Sequence, residues 1–245
     1  WSADFASSEI AAGEYESEVS VTATDSFGNS ETTTGTIHVD TTTAVAIDGG
    51  KAGGDDILNN AESAAGLTLT GTGEAGAAVS VTVEGVTRTT TVDANGNWSA
   101  IFEAGSLPAG EYDTTVSVTS TDAAGNSATA TADLHVDTLV DPLTLASGSI
   151  EGDNIVNETE HSDGVTLTGT VEPGSTVMVQ LGTATTAATV DANGNWSASF
   201  AAADIPEGSY DADVVVTATD AAGNIDTITD TLAIDTEVSP FTVAP

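Results

Sequence analysis

Residues 92–100 of the chain read VDANGNWSA, and residues 190–198 repeat this stretch without a change. A tryptophan also opens the chain, so the three tryptophans at positions 1, 98 and 196 are 98 − 1 = 97 and 196 − 98 = 98 residues apart. After each tryptophan come a tyrosine, a Thr-Asp-Ala-Ala-Gly-Asn loop or a close variant, and a closing Val-Asp-Thr or Ile-Asp-Thr. A period of this length predicts an array of copies of one domain, and it matches one β-sandwich per repeat.

Alternation of apolar and polar residues predicts short strands throughout the repeat. Trp98, Ala100 and Phe102 recur at every second position, which favours a core role for the tryptophan, and Thr43–Ile47 is expected to be the first strand. Seven such segments, separated by turn residues, predict an all-β fold of two-sheet antiparallel sandwiches. No segment shows a convincing helical periodicity.

The repeat frame divides the chain into four segments. Residues 42–138 and 139–236 are two complete repeats, joined by very short linkers, so we expect the sandwiches to lie end to end as a rod. Residues 1–41 hold the C-terminal half of a repeat, with a strand expected at Trp1–Phe5, and residues 237–245 are expected to be the first strand of a further repeat. Because residue 1 falls inside a repeat, we expect the sequence to be a window of a longer protein.

The charge of the chain is strongly one-sided. There are 38 Asp and Glu residues against only Lys51 and Arg88, for a net charge of −36. This balance argues against nucleic acid and anionic membrane surfaces as partners, and it calls for cations that screen the carboxylates. The chain has no cysteine, which excludes disulfides and thiolate chemistry, and no apolar run long enough to span a membrane.

Acidic residues are predicted to gather where one repeat follows another. The order of the strands puts the closing Val-Asp-Thr at one end of a repeat and three acidic turns at the opposite end of the next. The residues expected to meet are Asp40 with Glu74, Asp93 and Asp122, and Asp137 with Glu172, Asp191 and Asp220. Converging carboxylates suit a hard cation with six to eight oxygen ligands, so the sequence predicts Ca²⁺ at these junctions.

A second candidate metal site lies in the acidic loop near the start of each complete repeat. Its residues are Asp55, Asp56 and Glu62 in the first repeat and Asp153 and Glu160 in the second. Asp and Asn residues also shape turns by accepting backbone hydrogen bonds, so these acids have two possible roles, metal ligands or turn formers.

The Asp-Ala-Asn-Gly-Asn turns are not EF-hand loops. Their glycine stands at the fourth position rather than the sixth, and Ala104 or Ala202 occupies the twelfth position, where an EF-hand has glutamate. The Asn95-Gly96 dipeptide predicts instead a type I′ hairpin turn, with positive φ at both residues. We find no recurring nucleophile–base pair, so no catalytic residue is assigned and an enzyme is the least expected class.

Several of these motifs together resemble a known family. Tyr112 and Tyr210 stand where immunoglobulin-type sandwiches place a corner tyrosine that hydrogen-bonds upstream backbone. The Asp/Asn-rich turn before tryptophan, the Thr-Asp-Ala-Ala-Gly-Asn loop and the Val-Asp-Thr linker resemble the bacterial immunoglobulin-like repeats of giant surface adhesins of the repeats-in-toxin (RTX) and biofilm type. The resemblance covers nearly the whole chain. It implies tandem immunoglobulin-like sandwiches on the extracellular bacterial surface that form a stalk stiffened by Ca²⁺ at the domain junctions.

The resemblance also implies which partners to expect. A stalk contacts its neighbouring repeats, while the host, surface or glycan ligand is bound by a distal tip outside this segment. Two other functions stay open. Variable loops such as Glu84–Arg88 and Gly182–Thr186 would carry recognition in a glycan- or protein-binding module. In a self-assembling filament or surface layer, strands exchanged between copies, such as the one near Phe241, would complete the half-repeat at residues 1–41.

Overall fold

The structure of the chain is a computed structural model that describes residues 1–146 and 153–238. The chain forms two compact units. One contains residues 1–58, 64–108 and 113–135, and the other contains residues 59–63 and 109–112 together with the described part of residues 136–245.

The first 41 residues form a single antiparallel hairpin. Its strands are β1 (Glu14–Thr24) and β2 (Ser30–Asp40), with Tyr15 opposite Val39. The strand predicted at Trp1–Phe5 is wrong, because residues 1–6 are irregular and Trp1 is 96% exposed. The corresponding strand of a complete repeat is held by a neighbouring strand, and no described strand pairs with residues 1–6.

The first complete repeat is a sandwich of two sheets, as predicted. Its strands are β3 (Val45–Ile47), β4 (Ile57–Leu58), β5 (Leu67–Gly73), β6 (Ala78–Val83), β7 (Val86–Thr91), β8 (Asn97–Phe102), β9 (Glu111–Thr121) and β10 (Ser127–Asp137). One sheet has the order β3-β5-β8 and the other β4-β10-β9-β6-β7. The first strand is two residues shorter than expected, and the two-residue strand β4, which pairs with β10, was not predicted.

The second complete repeat follows the same plan. Its strands are β11 (Thr144–Leu145), β12 (Ile155–Asn157), β13 (Val165–Thr170), β14 (Thr176–Leu181), β15 (Ala184–Ala187), β16 (Thr189–Val190), β17 (Asn195–Phe200), β18 (Ser209–Thr219) and β19 (Ile225–Asp235). The sheets have the orders β11-β13-β17-β16 and β12-β19-β18-β14-β15, and β12 runs parallel to β19. Of the strand predicted at residues 237–245, residues 239–245 lie outside the described part of the chain.

The tryptophan of each complete repeat is buried in the core, as its alternation predicts. Trp98 is 2% exposed and Trp196 is 1% exposed. Each indole N–H reaches across the intervening strand and donates to a backbone carbonyl of the first strand of the sheet, at 3.2 Å from Ala46 and 3.0 Å from Thr144. The rings lie against the backbone of Gly71 and Gly169, where any side chain would overlap them. The two sheets of each repeat therefore close tightly around one aromatic ring.

Two short helices occur where only loops were expected. They are α1 (Asn60–Ala65) and α2 (Glu158–Asp163). Asn157 caps α2 by accepting the N–H groups of Thr159 and Glu160, and the Glu160 carboxylate accepts the Asn157 N–H at 3.0 Å. A helix of six residues is too short to show a hydrophobic period, so only its capping box identifies it in the sequence. Among the described residues no helix is long and apolar enough to cross a membrane.

Five loops share one backbone structure and one pattern, Asp-X-X-Gly-Asn. They start at Asp25, Asp93, Asp122, Asp191 and Asp220. In each loop the Asp N–H donates to the Asn carbonyl at 2.7–3.1 Å, and the Asp Oδ1 accepts the Asn N–H at 2.8–2.9 Å. The glycine has a φ of 81–97°, whereas Asn95 and Asn193 have no positive φ. The prediction of a type I′ turn is therefore wrong, because the loop is a type I turn followed by a left-handed glycine.

The corner tyrosine is confirmed at Tyr210, whose hydroxyl donates to the carbonyl of Pro206 at 2.7 Å. Tyr15 of the N-terminal hairpin makes the equivalent bond to Ala11 at 3.0 Å. The bond closes the turn that leads into the long strand, so the N-terminal hairpin shares this local structure with the second complete repeat.

Replacing Gly71 by alanine is expected to destabilise the first complete repeat by about 1–3 kcal/mol, because the new methyl group would overlap the Ala46 carbonyl and the Trp98 ring. Thermal unfolding of the variant measures the loss. Gly35→Ala is the matched control, since Gly35 also lies in a strand and nothing lies within 4 Å of an added methyl group. Equal melting temperatures for the two variants would contradict this account of the core.

Candidate metal centres

Three carboxylates meet at the end of strand β2. They belong to Asp40, the last residue of β2, to Glu74 in the turn after β5, and to Asp122, which follows β9. One oxygen of each lies within 4.8 Å of the others. Asp122 is 6% exposed, and the other two are half-buried. We call this group the Asp40 cluster, and all its members belong to the first compact unit.

A second group has the same composition in the second compact unit. Asp137 ends strand β10, Glu172 lies in the turn after β13, and Asp220 follows β18. Their ligand atoms also lie within 4.8 Å of one another. Asp137 and Asp220 are both buried, so this group, the Asp137 cluster, is better enclosed than the Asp40 cluster.

An asparagine side chain joins two of the three acids in each cluster. Asn126 donates through Nδ2 to Asp40 Oδ1 at 3.1 Å and to Asp122 Oδ2 at 2.8 Å. Asn224 donates to Asp137 Oδ1 at 3.0 Å and to Asp220 Oδ2 at 2.7 Å. Each asparagine ends an Asp-X-X-Gly-Asn loop, so the loop that supplies one acid also fixes the position of another.

One acid in each cluster has a shifted pKa, and the two shifts have opposite directions. Burial raises the pKa of Asp122, but the hydrogen bonds from the side chain and backbone of Asn126 and from Gly125 outweigh it and keep the pKa below its usual value. Burial, followed by the charges of Asp137 and Asp220 and then of Glu111, raises the pKa of Glu172 to about 7. The Glu172 Oε2 atom is buried and has no hydrogen-bond partner in the protein.

A hard cation fits the atoms present. Every ligand that the clusters offer is an oxygen, as Ca²⁺ requires, and the unpartnered Glu172 Oε2 is a free ligand atom inside the cluster. Beside each cluster a fully enclosed serine hydroxyl also lacks a protein partner, namely Ser120 near Asp122 and Ser175 in the turn that follows Glu172. Buried polar groups are rarely left without a partner, so these atoms are compatible with a cation and its water at the clusters.

The structure does not bring Asp93 or Asp191 into either cluster. Each carboxylate instead stays within its own hairpin turn, where Oδ1 accepts two backbone N–H groups at 2.8–2.9 Å. Backbone N–H bonds from Asn97 and Asn95 hold the pKa of Asp93 below its usual value. The side-chain and backbone bonds from Asn195 do the same for the pKa of Asp191.

The acids of the predicted loop sites also serve local structure. Asp55 and Asp153 each accept a backbone N–H two residues on, at 3.0 Å. Asp56 pairs with Lys51 at 2.8 Å. The carboxylates of Glu62 and Glu160 close the capping boxes of α1 and α2. Among the described residues these acids form no group of three close ligand atoms, which favours the turn-forming role over the metal-binding one.

Asn126 and Asn224 were not predicted as site residues, and neither was Glu111, whose charge acts on Glu172. The asparagines could have been found from the sequence. Each ends the Asp-X-X-Gly-Asn loop that follows the long strand of a complete repeat. The loops at Asp93 and Asp191 instead stand directly before a tryptophan.

The raised pKa of Glu172 predicts how the ion-free protein responds to pH. The unfolded chain releases this proton near pH 4.5, whereas the folded chain keeps it up to about pH 7. The folded state therefore binds more protons in between, and its stability falls as the pH rises through this window. In chelator, Glu172→Gln should melt increasingly above the wild type as the pH rises from about 5 to about 8.

The control for this experiment is Glu207→Gln, which removes the same charge at an exposed position of the same repeat. It should follow the wild-type pH dependence. If Glu172→Gln also follows the wild type at every pH, then burial and the neighbouring charges do not raise the pKa of Glu172.

Comparison with known families identifies the repeats. A family model described as Bacterial Ig-like domain matches residues 42–138 and 143–236. A comparison with curated proteins finds no match.

Solved structures with similar sequences come from bacterial adhesins. One, from a study of host cell surface retention of a 1.5-MDa bacterial ice-binding adhesin, is 32% identical over 90% of this chain and 74% of that chain, with a TM-score of 0.49. Another, a Ca²⁺-stabilised adhesin that helps an Antarctic bacterium reach out and bind ice, is 33% identical over 98% of this chain, with a TM-score of 0.48. The chain spans 61% of the length of that second structure.

A third solved structure contains one immunoglobulin-like domain of an adhesin. An immunoglobulin-like domain from the ice-binding adhesin of M. primoryensis is 36% identical over 38% of this chain and 99% of that chain, with a TM-score of 0.28. In sequence, the chain is thus 32–36% identical to these parts of bacterial adhesins, in agreement with the resemblance noted in the sequence. With both complete repeats matched, the chain belongs to the family of bacterial Ig-like domains.

Proposed function

We propose that this chain is a structural extender segment of a secreted or cell-surface bacterial adhesin, in which Ca²⁺ stiffens the succession of repeats. The observation that carries the proposal is the composition of the two clusters. Each combines the acid that ends one repeat with two acids from loops of the next repeat along the chain. An ion bound there would tie consecutive repeats together, so the neighbouring repeats are the first partners of each domain.

The chemistry of the ligands favours Ca²⁺ over other cations. Ca²⁺ accepts six to eight oxygens in flexible geometry, whereas Mg²⁺ demands a near-ideal octahedron and keeps several of its waters. Three carboxylates with nearby carbonyls and hydroxyls, spread over a strand end and two loops, suit the first ion better. The absence of cysteine from the chain leaves no thiolate to select a softer metal.

The relatives support an extracellular role. One is described as a Ca²⁺-stabilised adhesin that helps a bacterium reach out, and another was studied for retention at the cell surface. Extracellular calcium modules commonly bind at about 10⁻⁴–10⁻³ M, which is the affinity proposed for these clusters. The ligand that the adhesin recognises, and any role in biofilms, would belong to other parts of the protein.

Calcium titration of the 245-residue chain tests the sites. Isothermal titration calorimetry should detect two ions, and Asp122→Asn and Asp220→Asn should each remove one, because each variant deletes a carboxylate from one cluster. At about 10 mM Ca²⁺, an occupied site of this affinity should stabilise the folded chain by about 1.4–2.7 kcal/mol.

Matched controls come from the same loop pattern outside the clusters. Asp93→Asn and Asp191→Asn alter the equivalent aspartate of the hairpin loops, and both variants should still bind two ions. Loss of an ion in either control would show that Asp93 or Asp191 is a ligand of the ion. A wild-type chain that binds no Ca²⁺ would contradict the proposal.

Small-angle X-ray scattering tests the stiffening. With Ca²⁺ the profile should fit one extended conformation, whereas in excess chelator it should require an ensemble with bent members, because unneutralised carboxylates repel one another. Sodium chloride at equal ionic strength is the control for simple screening. If the profile is the same with and without Ca²⁺, the clusters do not set the rigidity of the chain.

A further inference from the structure

We propose that Asn224 is a positioning residue that sets the cation affinity of the Asp137 cluster, and that its anchor to helix α1 makes this cluster bind more tightly than the Asp40 cluster. The inference rests on the proposed function, because it concerns the same ion. It assigns a role to an uncharged residue, which orients the carboxylates of the site.

The side-chain amide of Asn224 uses both its donor and its acceptor. Its side chain is 4% exposed. Nδ2 donates to the main-chain oxygen of Asp137 at 2.9 Å, in addition to its bonds to the carboxylates of Asp137 and Asp220. Oδ1 accepts the backbone N–H of Asn60, the first residue of α1, at 2.7 Å. One amide group therefore holds the end of strand β10, the loop after β18 and helix α1 in a single arrangement.

Three copies of the same loop form a graded series. Asn29 bonds only to Asp25 of its own loop and is exposed. Asn126 reaches one acid beyond its loop, Asp40, and is half-buried. Asn224 reaches Asp137 and is in addition anchored by Asn60. The degree of enclosure rises along this series together with the number of groups that the asparagine connects.

The physical effect is preorganisation. An amide N–H bond to one side of a carboxylate fixes its direction without neutralising it, so the remaining oxygens stay available to a cation. Two carboxylates held next to Glu172 in advance need not be ordered when the ion binds, and the energy that ordering would cost goes into affinity. Outer hydrogen-bond partners of metal ligands typically change affinity by about 10- to 100-fold when they are removed.

The decisive variant is Asn224→Asp, studied by calcium calorimetry in an Asp122→Asn background that leaves only the Asp137 cluster to titrate. Aspartate keeps the acceptor for Asn60 but cannot donate, and it adds a negative charge. We expect the affinity to fall by about 10- to 100-fold. If affinity depended on charge alone, the extra carboxylate would raise it, and that result would overturn the inference.

A second variant tests the anchor separately. Asn60→Pro removes the N–H that Asn224 accepts, at a helix position where proline is well tolerated. It should also weaken binding, whereas Glu158→Pro, the matched change at the start of α2, should not. Asn29→Asp should leave the affinity unchanged as well, since Asn29 bonds to no cluster.

The outcomes separate the two proposals. A chain that binds no Ca²⁺ overturns the proposed function. A chain that binds two ions but keeps its affinity within twofold in Asn224→Asp and Asn60→Pro overturns only the inference about Asn224. Melting temperatures measured in chelator show whether either variant unfolds. If Asn224→Asp does not fold, the affinity of Asn60→Pro decides, and equal affinities of the two clusters in the wild type also count against the inference.

Discussion

Repulsion between like charges is the constraint on which the rest of this structure depends. Two unit charges roughly 4 Å apart repel by about 1 kcal/mol in water and by about 4 kcal/mol at the dielectric constant typical of protein surfaces. Each cluster holds three such acids within 4.8 Å. The only two basic side chains of Lys and Arg type are engaged elsewhere, Lys51 with Asp56 and Arg88 with the Ile101 carbonyl and the Phe102 ring. Neither Lys51 nor Arg88 therefore compensates the negative charge of the clusters.

One short loop serves two purposes in the repeat. In the hairpin before tryptophan, Asp93 and Asp191 use their carboxylates to close the turn. After the long strands the same backbone structure lets Asn126 and Asn224 reach beyond the loop to an acid that ends the previous repeat. The loop has the same backbone structure in both places, so its position in the fold decides whether it only turns the chain or also contributes to an acidic cluster.

The sheets could be predicted from the sequence because period-2 alternation is strong in this chain, as at Trp98 and Phe102, and because the repeat supplies the alignment. The meeting of Asp40 with Glu74 and Asp122 also followed from strand order. The helices α1 and α2 could not be predicted in this way, since six residues show no period. Asp93 was misplaced because sequence order gives the end of the sandwich on which a turn lies, but not the direction of its side chain.

The account is tested most directly by an anomalous-difference electron-density map from crystals grown in calcium. It predicts a peak between the carboxylates of Asp137, Glu172 and Asp220, with oxygen ligands at about 2.3–2.6 Å. It also predicts that Asn224 still bonds to Asp137 and Asp220 with the ion in place. A map without a peak there, with a protonated Glu172 hydrogen-bonded to its neighbours or the acids turned outward into water, would contradict it.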